Sequence, residues 1–222
     1  MTTNRHNQCS AQNMKLAINY AIAAVILLLS FVAPVAAGPL EDGVAAFVRG
    51  DYADAMLDFL PLAYQGDAKA QNYLGDIYYE GLGVPRRDDL AAQWYLKAAK
   101  QGYRESQTAL GTMYFDGFGV PQSYPKAIQW WRKAAVQGGS RAQNSLGALY
   151  EKGIGAPMNP ILAYKWYSLS AIQDPAYKSA VKAQLDRITQ LMTPGQIAKA
   201  QNLAREWKPT TVRAVYLTRS TP

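Results

Sequence analysis

Ser179-Ala180-Val181-Lys182 puts a hydroxyl and an amine three residues apart, the spacing at which a lysine can serve as base to a serine nucleophile. A four-residue match is common by chance, and the companion Ser-Asp-Asn and Lys-Thr-Gly motifs are missing from the chain. Two pairs of adjacent acids, Glu41-Asp42 and Asp88-Asp89, bring to mind glycosidase carboxylates. Sequence neighbours on a helix point apart, so these acids read as solvated charge near helix starts. Three glycine-bearing segments, Gly83-Val84-Pro85, Gly119-Val120-Pro121 and Gly155-Ala156-Pro157, have the flexibility of phosphate loops. No Lys-Ser or Lys-Thr follows them and no strand is expected before them, so they read as turns. The only histidine and the only cysteine are His6 and Cys9, at the start of the chain.

That start has the plan of a secretory signal. Arg5 and Lys15 supply positive charge, Ala21 to Val32 is nearly all apolar, and Val35-Ala36-Ala37 offers small residues for cleavage before Gly38. Met14 is a second candidate start that leaves the same mature chain. The alternative is an uncleaved anchor, but the apolar core is shorter than the roughly 20 residues of a spanning helix. A periplasmic or secreted protein with no stable membrane span is therefore expected. Cleavage would remove both His6 and Cys9, and with them any disulfide, thiolate nucleophile, Cys/His zinc site or Ser-His-Asp triad. No metal and no cofactor are expected. Cys9 precedes the apolar run, so it is not placed to carry a lipid.

The elements that would position any site are set by a recurrence. Gln65-Gly66, Gln101-Gly102 and Gln137-Gly138 return every 36 residues, as do Leu74-Gly75, Leu110-Gly111 and Leu146-Gly147. Tyr78, Tyr114 and Tyr150 keep the interval, and so do Trp94-Tyr95, Trp130-Trp131 and Trp166-Tyr167. A period of this length means stacked helical hairpins. The first helix of a unit runs from Ala68 to Glu80, with Gln71, Leu74, Gly75 and Tyr78 on its inner face. A mid-helix glycine costs about 1 kcal/mol relative to alanine, so its return at 75, 111 and 147 implies close approach of a neighbour. Gly81, Gly117 and Gly153 end the first helices, and proline closes each turn. The second helix mixes alanines with large aromatics, as interlocking helices require. The aromatics read as core, with a sugar-stacking surface as the alternative.

Leu-Gly, Tyr, Gly-x-Gly-Val, then Ala, Trp-Tyr, Ala-Ala and Gln-Gly together resemble the Sel1-like repeat, a relative of the tetratricopeptide repeat. The resemblance covers roughly Gly50 to Asp174 and implies an all-α, right-handed solenoid of helical hairpins with capping helices. The expected plan is a signal peptide over 1–37, an N-terminal helical cap over 38–66, repeats over 67–174, C-terminal capping helices over 175–207 and a flexible basic tail over 208–222. In the opening pair, Val44 to Phe47 and Ala53 to Ala63, the residues Ala55, Phe59 and Ala63 stand 36 positions before Ala91, Tyr95 and Ala99. Lys178 to Leu191 should be one closing helix. Thr193-Pro194 should cap another, which resembles the closing helix of many exported bacterial Sel1-like proteins.

Copies within one chain separate framework from variation. Positions 72, 76 and 79 of the first helix differ between units and share a face away from Leu74 and Tyr78. The three stripes are Asn72, Asp76 and Tyr79, then Thr108, Thr112 and Phe115, then Asn144, Ala148 and Glu151. By resemblance to tetratricopeptide-like arrays they line the concave surface. Tyr79 and Phe115 are the expected anchors, with Asn72, Thr108 and Asn144 offering hydrogen bonds. The alternative is packing between units.

The expected function is a periplasmic adaptor or regulator that holds a partner protein on this surface. The resemblance implies envelope assembly, polysaccharide secretion or control of a sensor kinase as its setting. A second reading is binding of peptidoglycan or an anionic polysaccharide. Removing Arg5 and Lys15 lowers the net charge from +7 to +5, and basic residues dominate from Lys178 to Arg219. A basic end of this kind suits an acidic protein face, a polyanion or lipid headgroups. Nucleic acid is not expected as a partner. The third reading is a weak penicillin-recognising hydrolase centred on Ser179, raised because some Sel1-like proteins have been linked to penicillin binding. No enzyme is expected.

Overall fold

The computed structural model describes residues 38–210; the expected signal over 1–37 and residues 211–222 of the expected tail lie outside the described residues. Within them the regular structure is helical, ten α-helices and one short 3-10 turn. An opening pair, α1 (Pro39–Arg49) and α2 (Tyr52–Gln65), leads into three hairpins. These are α3 (Ala68–Glu80) with α4 (Asp88–Lys100), α5 (Arg104–Asp116) with α6 (Tyr124–Val136), and α7 (Ser140–Lys152) with α8 (Pro160–Gln173). After a turn at Pro175–Tyr177, α9 (Lys178–Thr189) and α10 (Pro194–Arg205) both pack on α8. From α1 to α9 each helix touches the next in sequence, and α3, α5 and α7 also touch in series. No helix among the described residues is long and apolar enough to cross a membrane.

Local chemistry sets the boundaries. The Asp67 carboxylate accepts from the Ala70 amide at 2.7 Å to start α3. Thr193 and Gln196 form a reciprocal capping box ahead of Pro194 at the start of α10. Helix α1 begins at Pro39, earlier than the Val44 expected from sequence, because proline and the exposed Glu41 and Asp42 favour a first helical turn. Asp88 and Asp89 open α4, where they pair with Arg86 and Arg87 at 2.7 and 2.8 Å. They are a charged helix start, as their adjacency implied.

The mid-helix glycines accept aromatic rings. A Cβ on Gly75 would lie 2.5 Å from the Tyr95 ring, and one on Gly147 would lie 2.7 Å from the Tyr167 ring. Gly111 is covered in the same way by Trp131. The second residue of each aromatic pair therefore lies flat on the backbone of its partner helix and is buried. Gly43 sits under Phe59 by the same device. The opening pair is thus a shortened hairpin, with Gly50 and Asp51 replacing the longer turn from Gly81 to Arg87. Trp94, Tyr95, Trp131, Trp166 and Tyr167 are buried and Trp130 is half-buried, so the paired aromatics are mainly core and offer the sugar-stacking alternative little surface.

Glutamines join one unit to the next. The buried Gln71, Gln107 and Gln143 donate to the carbonyls of Ala63, Ala99 and Ala135 at 2.9, 3.1 and 3.0 Å. Gln101 then donates to the Gly66 carbonyl and to Gln71 Oε1, both at 2.8 Å. Gln137 repeats this on the Gly102 carbonyl at 3.1 Å and Gln107 Oε1 at 2.8 Å. Each Gln-Gly therefore ends one unit and reaches back to the equivalent glycine of the unit before. The ladder stops at Gln143, whose Oε1 is buried without a partner.

The C-terminal segment departs from the expected plan at one point. Trp207 packs against the last core cluster, and the Thr210 amide donates to the Val136 carbonyl at 2.7 Å. The first residues of the expected flexible tail are therefore docked, because the open carbonyl at the end of α6 takes up their amide. Ser179 and Lys182 are both exposed on α9 and make no hydrogen bond to each other.

Candidate binding groove

An open groove of about 640 Å³ runs between the first helices of the first two hairpins and ends at the start of α7. Asn72, Asp76, Tyr79 and Glu80 come from α3, and Glu105, Thr108 and Thr112 from α5. Gly138 to Arg141, with Gln173 and Asp174, close the far end. Five of the eight predicted site residues are brought together here: Asn72, Asp76, Tyr79, Thr108 and Thr112. Their spacing of three and four along α3 and α5 puts them on one wall each.

The other three lie elsewhere, and each departure has a physical cause. Phe115 packs within its own hairpin, its ring 5.4 Å from Tyr124 and 5.6 Å from Trp131. It is half-buried against the core and is not a free anchor. Glu151 accepts from the Tyr167 hydroxyl at 2.8 Å and from Arg187 Nε of α9 at 2.7 Å. The closing helices thus occupy the third stripe, and Asn144 is half-buried outside the groove. Expected hydrogen bonding at Asn72 also needs correction. Its amide donates to Asp76 at 3.0 Å and accepts from the buried Ser106 hydroxyl at 2.7 Å, so it links two units instead of waiting for a ligand.

Asp76 is the electrostatic centre of the groove. One oxygen accepts from the Tyr95 hydroxyl at 2.7 Å and the other from Asn72. Burial pushes its carboxyl up to about 6, opposed by the Tyr95 hydrogen bond and reinforced by the negative charges of Glu80 and Glu105. Burial pushes the Tyr95 hydroxyl up as well, followed by the charge of Asp76. A carboxyl whose folded value lies above its unfolded one makes the native state the better proton binder. Its contribution to stability is present at low pH and lost as pH rises from about 4 to about 6. In Asp76→Asn that loss should be absent, so the stability difference between mutant and parent should swing in favour of the mutant on going from pH 4 to 7. Urea unfolding at both values checks this; a pH-independent difference would show that Asp76 titrates normally.

The threonines supply acceptors. The Thr108 hydroxyl donates to the Arg104 carbonyl at 3.0 Å and the Thr112 hydroxyl to the Thr108 carbonyl at 3.2 Å, leaving oxygen lone pairs for a ligand. The Thr108 carbonyl also accepts from Trp131 Nε1 at 3.1 Å. Tyr79 is flanked by Tyr95 at 6.5 Å and by the Arg86 guanidinium at 5.0 Å.

A family model described as Sel1 repeat matches residues 68–103, 104–139 and 140–175. The chain carries three Sel1 repeats. Each Sel1 repeat corresponds to one hairpin, and the groove lies between the first two. Among solved structures, the chain is similar to a Sel1 repeat protein from Oxalobacter formigenes at 34% identity and a TM-score of 0.62, over 66% of this chain and 59% of that one. It is also similar to a protective antigen of uropathogenic Escherichia coli strains that displays an SLR fold, at 29% identity and a TM-score of 0.64. That match covers 77% of this chain and 36% of the antigen. The chain thus spans less than two thirds of either structure. No curated protein matches it. The Sel1 repeat fold commonly mediates protein–protein interaction and is generally non-enzymatic.

Two participants escaped the stripe argument, Glu80 and Glu105. Glu80 is the last residue of α3, four after Asp76, and Glu105 is the second of α5, three before Thr108, so each extends the face of its stripe by one step beyond the positions compared between units. A signal for both was present in the sequence, because Lys152 and Arg141 replace them in the third Sel1 repeat.

Proposed function

We propose that the protein is a periplasmic adaptor or regulator that holds a segment of a partner protein in the groove between its first two Sel1 repeats. The observation that carries this reading is the convergence of Asp76, Tyr79, Thr108 and Thr112, which vary between units, on one open groove, while Leu74, Leu110 and Leu146 of the framework are buried. A groove of this size, with an aromatic ring and a few polar groups, suits an extended segment. Envelope assembly or a membrane sensor is the setting we assign to the partner. Filling the groove tests the reading. Thr112→Trp and, separately, Thr108→Tyr should each reduce capture of crosslinked proteins in intact cells at least tenfold without changing the helical circular dichroism. Unchanged capture in both would place the binding surface elsewhere.

The polysaccharide reading keeps one support, the exposed Lys178, Lys182, Lys199, Arg205 and Lys208 at the closing end. It ranks second because the aromatics it also required are in the core. Recovery of glycan alone in the same crosslinking experiment would reverse this order.

A further inference from the structure

The groove is unequal along its length. Its first half presents Asp76, Glu80, Thr108 and Thr112, which together offer acceptors and negative charge. Both threonine protons are already committed to helix carbonyls, so the hydroxyls face a ligand as acceptors only. Neither Asp76 nor Glu80 has an ion-pair partner among the described residues. Of the cations around the groove, Arg104 pairs with Glu105 at 2.6 Å, Arg86 pairs with Asp88 while covering the Tyr79 ring, and Arg141 stands with the residues that close the far end. A carboxylate held in a partly desolvated wall without a counter-charge gains most from an arriving cation.

We infer that the Asp76–Glu80 end of the groove seats a lysine or arginine side chain of the bound partner segment. The inference rests on the groove being the protein-binding site and adds the chemistry of what enters it. An ammonium has three donors and a guanidinium five, which matches an end composed of acceptors. The stem of either side chain is apolar enough to lie along the Tyr79 ring. An acidic or neutral segment would instead leave Asp76 buried beside groups that cannot compensate it.

Protonation should control the site. The titratable and charged groups facing Asp76 are Tyr95 from α4, Tyr103, Arg104 and Glu105 at the start of α5, and Tyr79 and Glu80 on its own helix. Of these the two glutamates raise the Asp76 carboxyl, whereas a bound cation lowers it. Binding therefore favours the ionised form, is strongest above about pH 6 and weakens below it.

Two acetylated, amidated decapeptides on one Gly-Ser-Thr background, one with three lysines and one with three glutamates, serve as probes against the full chain. The lysine peptide should bind at least tenfold more tightly at pH 7.5 and lose most of that advantage at pH 5. Asp76→Asn with Glu80→Gln should reduce its binding at least tenfold. Glu41→Gln with Asp42→Asn removes the same charge from the exposed start of α1 and should change it less than twofold. Equal binding of the two peptides, binding of neither, or an equal loss in both double variants overturns the inference. Failure of the parent reading looks different. There the Thr112→Trp and Thr108→Tyr chains keep their partner, whereas here they lose it and the carboxylate variants keep it.

Discussion

Trp131→Ala should destabilise the protein by about 3–5 kcal/mol, the usual cost of deleting a large buried aromatic. The indole is 4% exposed, lies on Gly111 and donates to the Thr108 carbonyl, so truncation opens a cavity and leaves that carbonyl with the Thr112 hydroxyl but without the indole N–H. The informative companion is Gly111→Ala. In the parent a methyl at this position meets the indole ring, and overpacking of that kind costs about 1–3 kcal/mol, set against about 1 kcal/mol of helix propensity gained. In the Trp131→Ala background the ring is gone and only the propensity gain remains. Gly111→Ala should then stabilise, and the pair should be non-additive by about 1–3 kcal/mol. Chemical denaturation of the four chains measures the coupling. Additive effects would mean that the ring does not lie on the glycine in solution.

Gln107→Leu should cost about 1–3 kcal/mol and Gln143→Leu distinctly less, although the two residues are equivalent by sequence. A typical intramolecular hydrogen bond contributes about 0.5–1.5 kcal/mol net. Gln107 holds both ends of a rung, donating to Ala99 and accepting from Gln137, so leucine removes two hydrogen bonds, while the Ala99 carbonyl keeps the Gly102 amide and the Gln137 amide keeps the Gly102 carbonyl. Gln143 donates to Ala135 but its own Oε1 is already buried without a partner. Leucine there removes one hydrogen bond and one unsatisfied atom together, and the Ala135 carbonyl keeps the Gly138 amide. Thermal unfolding followed by circular dichroism ranks the two, and equal losses would show that the rung between units contributes nothing at Gln107.

The repeat was legible because its framework obeys one interval. The interval shared by Leu74, Gly75 and the aromatic pairs is enough to require stacked hairpins, and Ala68–Glu80 has the boundaries the sequence indicates. What the glycine accommodates was less legible, since spacing says that something comes close and not that it is the face of Tyr95. The stripe at 72, 76 and 79 was found by variation between copies, which sorts positions but ignores what lies on top of them. Glu151 was misplaced for that reason: Arg187, 36 residues onward, belongs to a helix outside the repeat. Asn72 varies like a ligand-facing residue, yet its variation matches Ser106 in the next unit. The Gln71, Gln107 and Gln143 series was visible as a recurrence, but a buried glutamine reveals its role only when its partners are carbonyls at measured distances.

The backward reach of each Gln-Gly has a consequence for how such a chain can grow. What the glutamine ladder takes from the preceding unit is a glycine carbonyl, an alanine carbonyl and a glutamine oxygen at fixed offsets, and what it offers the next unit is the same set. A tandem duplication of residues 104–139 would therefore reproduce both faces of the junction at once, with no new surface to evolve. The array can lengthen by copying error alone until it meets a closing helix such as α9, and each added copy extends the groove by one more first helix whose exposed positions are then free to diverge.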